Sequence, residues 1–545
     1  MTARSGTSRN ARAPARTPPA PASSRIALAI ACTVFVVCAV WVMPFMPDDS
    51  FISFRYAEHL ANGHGLTFNI GEQPVEAYSN LLWIVLCAGL YKAGLNLPQV
   101  TPVVGILLGL GCLGVLSTLC RRRGPLWTQQ LFPLLGLAAF GPFVLYAVSG
   151  METALFALLL LLITRFSEDL LERPRARSLA MLTVAGFLAS LTRPEGIVAL
   201  PVALALVAWE TRRGDGGRRL RPIAIALCAF VLASVVYHAW RVSYFGEWLP
   251  TPFVSKGVEG AGLVNGWRMN LTSYFVNWTY YYPPQGYVFL ALAALAYAGY
   301  RALPVRRPGD RVALALALVF GVVYANFVDW MPGMRYHVAI AGLLLVPASS
   351  LHRVAPEAMW RAASTTHVRR FAALSLALLL AMGIGVSHLK TVASKMGESA
   401  TLCNLPLAHW LRATMPRGAL LAIGDVGMVP YYSGLRTLDI HPQSLTDAYI
   451  AKRAFDADYV LVRKPDVICL SVRGVYTARM DPLHWSLYKH EGFRLEYGFL
   501  GTVRNQWYQD RAYWVFTRNQ LPVDAEQVKK IPAGIGKQRK TGFAP

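Results

Sequence analysis

Two adjacent carboxylates, Asp48 and Asp49, follow directly on the apolar run 26–45. They stand in Met46-Pro47-Asp48-Asp49-Ser50-Phe51-Ile52-Ser53-Phe54-Arg55-Tyr56-Ala57. Desolvation at the mouth of a membrane span raises a carboxyl pKa toward the working range of a general base. The plainer reading makes one of them the N-cap of the helix that follows. Capping accounts for one Asp and gives no reason for two. Phe51, Phe54, Ala57 and Leu60 recur at helical spacing, which predicts an amphipathic helix lying on the membrane surface. Arg55 and Tyr56 lie on that helix and are candidate substrate contacts.

Other polar groups stand at the mouths of apolar runs. Glu76, Tyr78 and Asn80 precede Leu81-Leu82-Trp83, where sugar hydroxyls would find donors, acceptors and an aromatic face. An ordinary interfacial aromatic belt is the plainer account. Ser149-Gly150-Met151-Glu152-Thr153 and Thr192-Arg193-Pro194-Glu195-Gly196 each set an acid at the start of an apolar helix, which complements the helix dipole. Arg193 has a second use, because an arginine near the membrane plane suits a lipid-carrier phosphate. Lys256 in the loop 241–285 is another candidate phosphate partner. Asp329 and Arg335 flank a Pro-Gly turn that ends at His337; a local ion pair or a phosphate or sugar contact accounts for them.

These residues need elements to hold them. Of 545 residues, 54% are apolar and only 15% charged. Apolar runs lie at 26–45, 79–96, 101–120, 128–149, 152–166, 178–192, 194–209, 222–240, 286–301, 312–328, 337–351 and 371–388. That pattern excludes a soluble enzyme, a fibrous protein and a disordered chain. It predicts a polytopic α-helical membrane protein. Residues 1–25, rich in Ala, Pro, Arg and Ser, read as a disordered cytoplasmic tail, and 26–45 reads as an anchor rather than a cleaved signal. If 79–96 is interfacial or re-entrant, 26–388 crosses about eleven times. The tail and inner loops then hold 25 Lys and Arg against six in the outer loops, as the positive-inside rule requires. The net charge of +23 is thus spread over short loops, and a nucleic-acid surface is excluded for want of a contiguous basic face.

Residues 389–545 change composition and read as an extracytoplasmic α/β domain. Ala419–Ile423, Tyr459–Val462 and Trp514–Phe516 are expected strands. Gly424-Asp425-Val426-Gly427 follows the first, at the carboxyl edge where such sheets bind ligands; a glycine-permitted tight turn is the plainer reading. Cys403 and Cys469 are two thiols or one disulfide. No P-loop, GxGxxG, HExxH or GxSxG stands in its required context.

The segments 48–57, 63–69 and 76–83, with 149–153, 192–196, 329–333 and 424–434, resemble in sequence and order the terminal β-(1→2)-arabinofuranosyltransferases, within the GT-C membrane glycosyltransferases. The resemblance runs from about residue 46 into the outer domain. It implies a GT-C fold in a bacterial plasma membrane, with the active site and C-terminal domain extracytoplasmic. The implied donor is a polyprenyl-phosphate sugar and the acceptor a glycan or glycoconjugate. Asp48 or Asp49 would deprotonate the acceptor, with Asp48 favoured and Asp49 orienting or binding. Some GT-C enzymes also use a divalent cation, which the acidic loop could hold. Val328, Trp248 and Pro252 depart from the family pattern and bear on the sugar more than on the reaction. Rival readings are a polyprenyl-phosphohexose donor and, in another class, a flippase or exporter of a lipid-linked sugar.

Overall fold

The computed structural model describes residues 22–252, 254, 291–297, 300, 307–350 and 383–521. Excepted are 44, 125–126, 216–219, 325–330, 332, 396, 398–399, 442–443, 453–455, 474–478, 481, 505–510 and 520. Lys256, Asp329 and most of the expected tail therefore lie outside the described residues.

Ten helices lead from the start of this region: α1 Ala22–Val42, α2 Asp48–Ala61, α3 Leu81–Lys92, α4 Leu97–Arg123 and α5 Trp127–Ala138, then α6 Gly141–Ala147, α7 Thr153–Glu172, α8 Ala176–Thr192, α9 Ala199–Asp215 and α10 Leu220–Phe245. Helices Pro308–Tyr324 and His337–Ala348 follow. Four spans among the described residues are long and apolar enough to cross a membrane: Ser24–Val42, Leu97–Arg123, Pro194–Arg213 and Leu220–Phe245. Val231, Leu232, Val235 and Val236 of α10 are exposed, a surface suited to lipid rather than water. The chain is an integral membrane protein. At 12 residues α3 is about 18 Å long, short of the roughly 30 Å hydrocarbon core.

Three expectations need correction. The run 128–149 is two helices, α5 and α6, bent by 55°. Pro142 causes the break: it has no N–H for the Ala138 carbonyl, and its ring crowds that carbonyl. Helix α2 does not lie open on a membrane surface, because Ser50 through Ala57 are all buried. And 459–462 is helical, within Ala457–Val462, because the Asp456 side chain accepts from the Asp458 N–H at 2.9 Å and caps a helix there.

The C-terminal sheet comprises β1 Leu420–Ile423, β2 Arg436–Asp439, β3 Val467–Arg473, β4 Arg479–Met480, β5 Tyr497–Arg504 and β6 Arg511–Arg518. Strand order is β2-β1-β3-β6-β5, with β4 on β3. β1 is parallel to β2 and β3; the other pairs are antiparallel. β1 is buried along its whole length, as its unbroken apolar run requires. Cys403 and Cys469 are not joined by a disulfide.

One end of the helical bundle is locked by charge. Arg123 at the end of α4 donates to Asp310 at 2.6 Å and to Glu168 at 3.2 Å, all three buried. Gly309 makes room, since a Cβ there would overlap the Glu168 carboxylate. Removing one partner strands the others in low dielectric. Arg123→Ala is expected to cost about 3–5 kcal/mol, read as a fall in the detergent melting temperature, with Arg307 and Arg122 beside Glu168 moderating the loss.

Candidate active site

The motif turns gather at the opposite end of the bundle. Helix α2 begins at Asp48, with Pro47 ahead of it and no side-chain cap. The plainer reading, that Asp48 or Asp49 caps this helix, gives way to a different arrangement. The Asp48 carboxylate accepts from the Gly427 N–H and the Met428 N–H, each at 2.8 Å. These amides open the short helix Met428–Ser433 of the C-terminal region. Gly427 is required by close approach: a Cβ there would overlap the Asp48 main chain and side chain. Burial pushes the Asp48 carboxyl up, the charges of Asp425 and Asp49 push it further, and the two amides pull it back; it stands at about 7. Tyr513 of β6 donates from its hydroxyl to Asp425.

Arg55 completes the joint. Its guanidinium donates to the carbonyls of Phe68 (2.7 Å), Pro430 (2.5 Å) and Leu435 (2.8 Å). The Asn69 side chain accepts from the Thr437 N–H at 3.0 Å and donates to its carbonyl at 2.9 Å, as a neighbouring strand would. Phe51 and Phe54 pack against Tyr431. Tyr56 donates to the Val75 carbonyl and meets Tyr78 edge-on, with ring centroids 4.8 Å apart. Arg55 and Tyr56 are thus held by main-chain groups of the joint.

A second buried network lies beside α2. Ser50 donates to the Ser149 carbonyl at 2.7 Å, and Trp83 to that of Gly150 at 2.9 Å. Asn80 donates to Ser53 (3.1 Å) and to Glu152 (2.9 Å). Glu152 accepts from Arg193 at 2.9 Å, and Arg193 donates to Glu195 at 2.5 Å. Tyr324 donates to Glu195 at 3.0 Å. The ring of Tyr336 takes Arg193 at 5.1 Å and Arg335 at 4.9 Å from its centroid. Asn80, Glu152, Arg193, Glu195 and Arg335, far apart in sequence, therefore share one region. His337 begins the next helix and is fully buried. Glu76 pairs instead with Arg241 of α10 at 2.9 Å.

Sequence reasoning passed over Arg241, Tyr324, Ser53 and Tyr513. Arg241 carried a usable signal, since it falls in one of the arginine-poor loops expected to lie outside, as Arg193 does. Among the described residues no group of three or more His, Cys, Asp or Glu side chains is placed to hold a metal ion. Both oxygens of the Asp48 carboxylate are taken by main-chain amides.

Residues 394–517 match a family described as "Domain of unknown function (DUF8728)". The chain is similar to the terminal beta-(1->2)-arabinofuranosyltransferase of Corynebacterium glutamicum, 25% identical over 363 residues. The match covers 58% of this chain and 49% of that protein, so the chain spans about half the length of this curated relative. It is also similar in structure to ArnT from Cupriavidus metallidurans bound to undecaprenyl phosphate, with a TM-score of 0.57, 16% identity, and coverage of 91% of this chain and 98% of that one. The apo state of the same protein gives a TM-score of 0.58 at 16% identity, over 90% and 97% of the two chains. With a helical membrane body, a small C-terminal sheet and this likeness along nearly its whole length, the chain has the fold of the GT-C membrane glycosyltransferases.

Proposed function

We propose that this protein is a membrane glycosyltransferase that moves a sugar from a polyprenyl-phosphate carrier to a glycan or glycoconjugate acceptor. The sugar is arabinofuranose, on the strength of the motif resemblance and the corynebacterial relative. The observation that carries the reading is Asp48: a carboxylate at the mouth of a span, lifted to about 7, where a base works best near neutral pH.

The acceptor hydroxyl oxygen forms the new bond to the anomeric carbon. The bond from that carbon to the phosphate oxygen breaks, and its electron pair leaves with the polyprenyl phosphate. The hydroxyl proton passes to Asp48, and Asp49 orients the acceptor. Arg193 and Arg335, on one tyrosine ring, face the charge that develops on the phosphate. Glu152 and Glu195 hold Arg193 rigid for that task. Glu76, Tyr78 and Asn80 line the sugar side, with Lys256 and Asp329 as further contacts. ArnT, a structural neighbour, has been solved bound to undecaprenyl phosphate, which supports a prenyl carrier here.

The loop asymmetry in Lys and Arg supports a site and a 389–545 domain on the extracytoplasmic face, a cytoplasmic 1–25, and about eleven crossings within 26–388. The test offers the purified protein prenyl-phosphoryl arabinofuranose, mannose and glucose in parallel. Transfer from the arabinose donor is expected; turnover of a hexose donor alone would overturn the arabinose assignment.

A further inference from the structure

The base proposed above is not held by its own membrane region. Both oxygens of Asp48 are taken by main-chain amides that arrive 379 and 380 residues later in the chain. These amides lie within 394–517, the part that matches a domain of unknown function. The turn they belong to is built for contact rather than for ease of folding. It leaves β1 at Ile423, and Gly427 comes so close to Asp48 that only a glycine fits. Val426 and Met428, on either side of Gly427, are buried in the same apolar core as the membrane helices. Asp425 is turned toward the joint and gripped by the Tyr513 hydroxyl from β6. Arg55, on two carbonyls of this segment, fixes the far end of the contact.

Holding the two protein parts together would not need Asp425. Apolar packing, the Arg55 clamp and the Asn69–Thr437 pair already do that. Setting Asp425 close to an acidic pair opposes docking through like-charge repulsion. Such an arrangement makes sense where the carboxylate has a task besides cohesion.

We infer that the segment Gly424–Met428 is an active-site element supplied by the C-terminal domain: the Gly427 and Met428 amides fix the Asp48 carboxylate, and Asp425, held by Tyr513, is a positioning residue that acts through Asp48. This rests on the reading of Asp48 as the base. The two amides hold the carboxylate in one orientation toward the acceptor. The charge of Asp425 disfavours the ionised form of Asp48 and makes it a better proton acceptor once ionised. The charged and titratable groups that act on Asp48 are Asp49 on its own helix, Asp425 on the turn and Tyr513 on β6.

The experiment is the pH profile of kcat/KM for sugar transfer by the full-length protein, in wild type, Asp425→Asn and Tyr513→Phe. Activity rises with pH as the base loses its proton. Asp425→Asn removes one like charge and keeps the acceptor for Tyr513, so the acid limb is expected to move down by roughly one pH unit. Tyr513→Phe frees Asp425 and is expected to move the limb without changing KM for the donor. Gly427→Ala, which forces the turn off Asp48, is expected to lower kcat at every pH. An acid limb that stays in place in Asp425→Asn, even with a lower kcat, gives Asp425 a merely structural role and overturns the inference. Wild-type activity in Asp48→Asn would instead remove the reading on which it rests, so the two failures are told apart by which variant reports them.

Discussion

Asp48→Asn is expected to lower sugar transfer by about 10²–10⁴-fold, the usual loss when a positioned base is removed. On an exposed helix, Asn would replace a capping Asp at little cost. Here it would not. Asp48 accepts from two amides at once, and Asn has a single acceptor oxygen, so its amino group would face an N–H. One amide left unmet costs about 1–3 kcal/mol of docking. The variant therefore combines two effects, and a melting curve separates them. A modest fall in melting temperature with a folded protein leaves the large kinetic loss to the missing base. In wild type the acid limb of the rate is expected near pH 7. The same upward shift, from 3.8 to about 7, means that the folded protein binds this proton more tightly than the unfolded chain. Asp48 thus opposes folding increasingly as pH rises from about 4 to 7.

The second large effect is expected at Arg193. Glu152 and Glu195 both lean on its guanidinium, with side chains almost wholly removed from solvent. Arg193→Ala leaves two buried carboxylates with their shared cation gone, a loss of about 3–5 kcal/mol. Transfer is expected to vanish with the fold in detergent, read by thermal unfolding and by activity together. Adding Glu152→Gln and Glu195→Gln to Arg193→Ala is expected to recover most of the stability and none of the transfer. Full recovery of both would show that Arg193 serves only the fold.

The residues of this network were visible because each announced itself locally. Glu152, Arg193 and Glu195 are charged groups at short turns between apolar runs, where water or a partner must be found for them. The pair Asp48-Asp49 stood out for the same reason. Their partners did not. Nothing near Gly427 in the chain says that it will press against a residue 379 positions earlier, and a Gly-Asp-x-Gly turn has an adequate local excuse. The burial of α2 was lost in the same way. Its apolar residues Phe51 and Phe54 suggested a membrane surface, whereas they pack, as Arg55 does, against a domain encoded at the other end of the sequence. At 459–462 the apolar run Tyr-Val-Leu-Val pointed to a strand, and a capping Asp456 overrode it. Pairings that depend on long-range contacts are not written in local periodicity.

In a transferase the sugar changes partners; in a flippase or exporter it changes sides of the membrane. The measurement is made in proteoliposomes holding the purified full-length protein, a prenyl-phosphoryl arabinofuranose labelled in the sugar, and an arabinan acceptor. Label is expected in the acceptor, with free prenyl phosphate released in equal amount, both lost in Asp48→Asn. Labelled donor that reaches the opposite leaflet with its sugar–phosphate bond intact, and no label in the acceptor, would contradict the transferase reading.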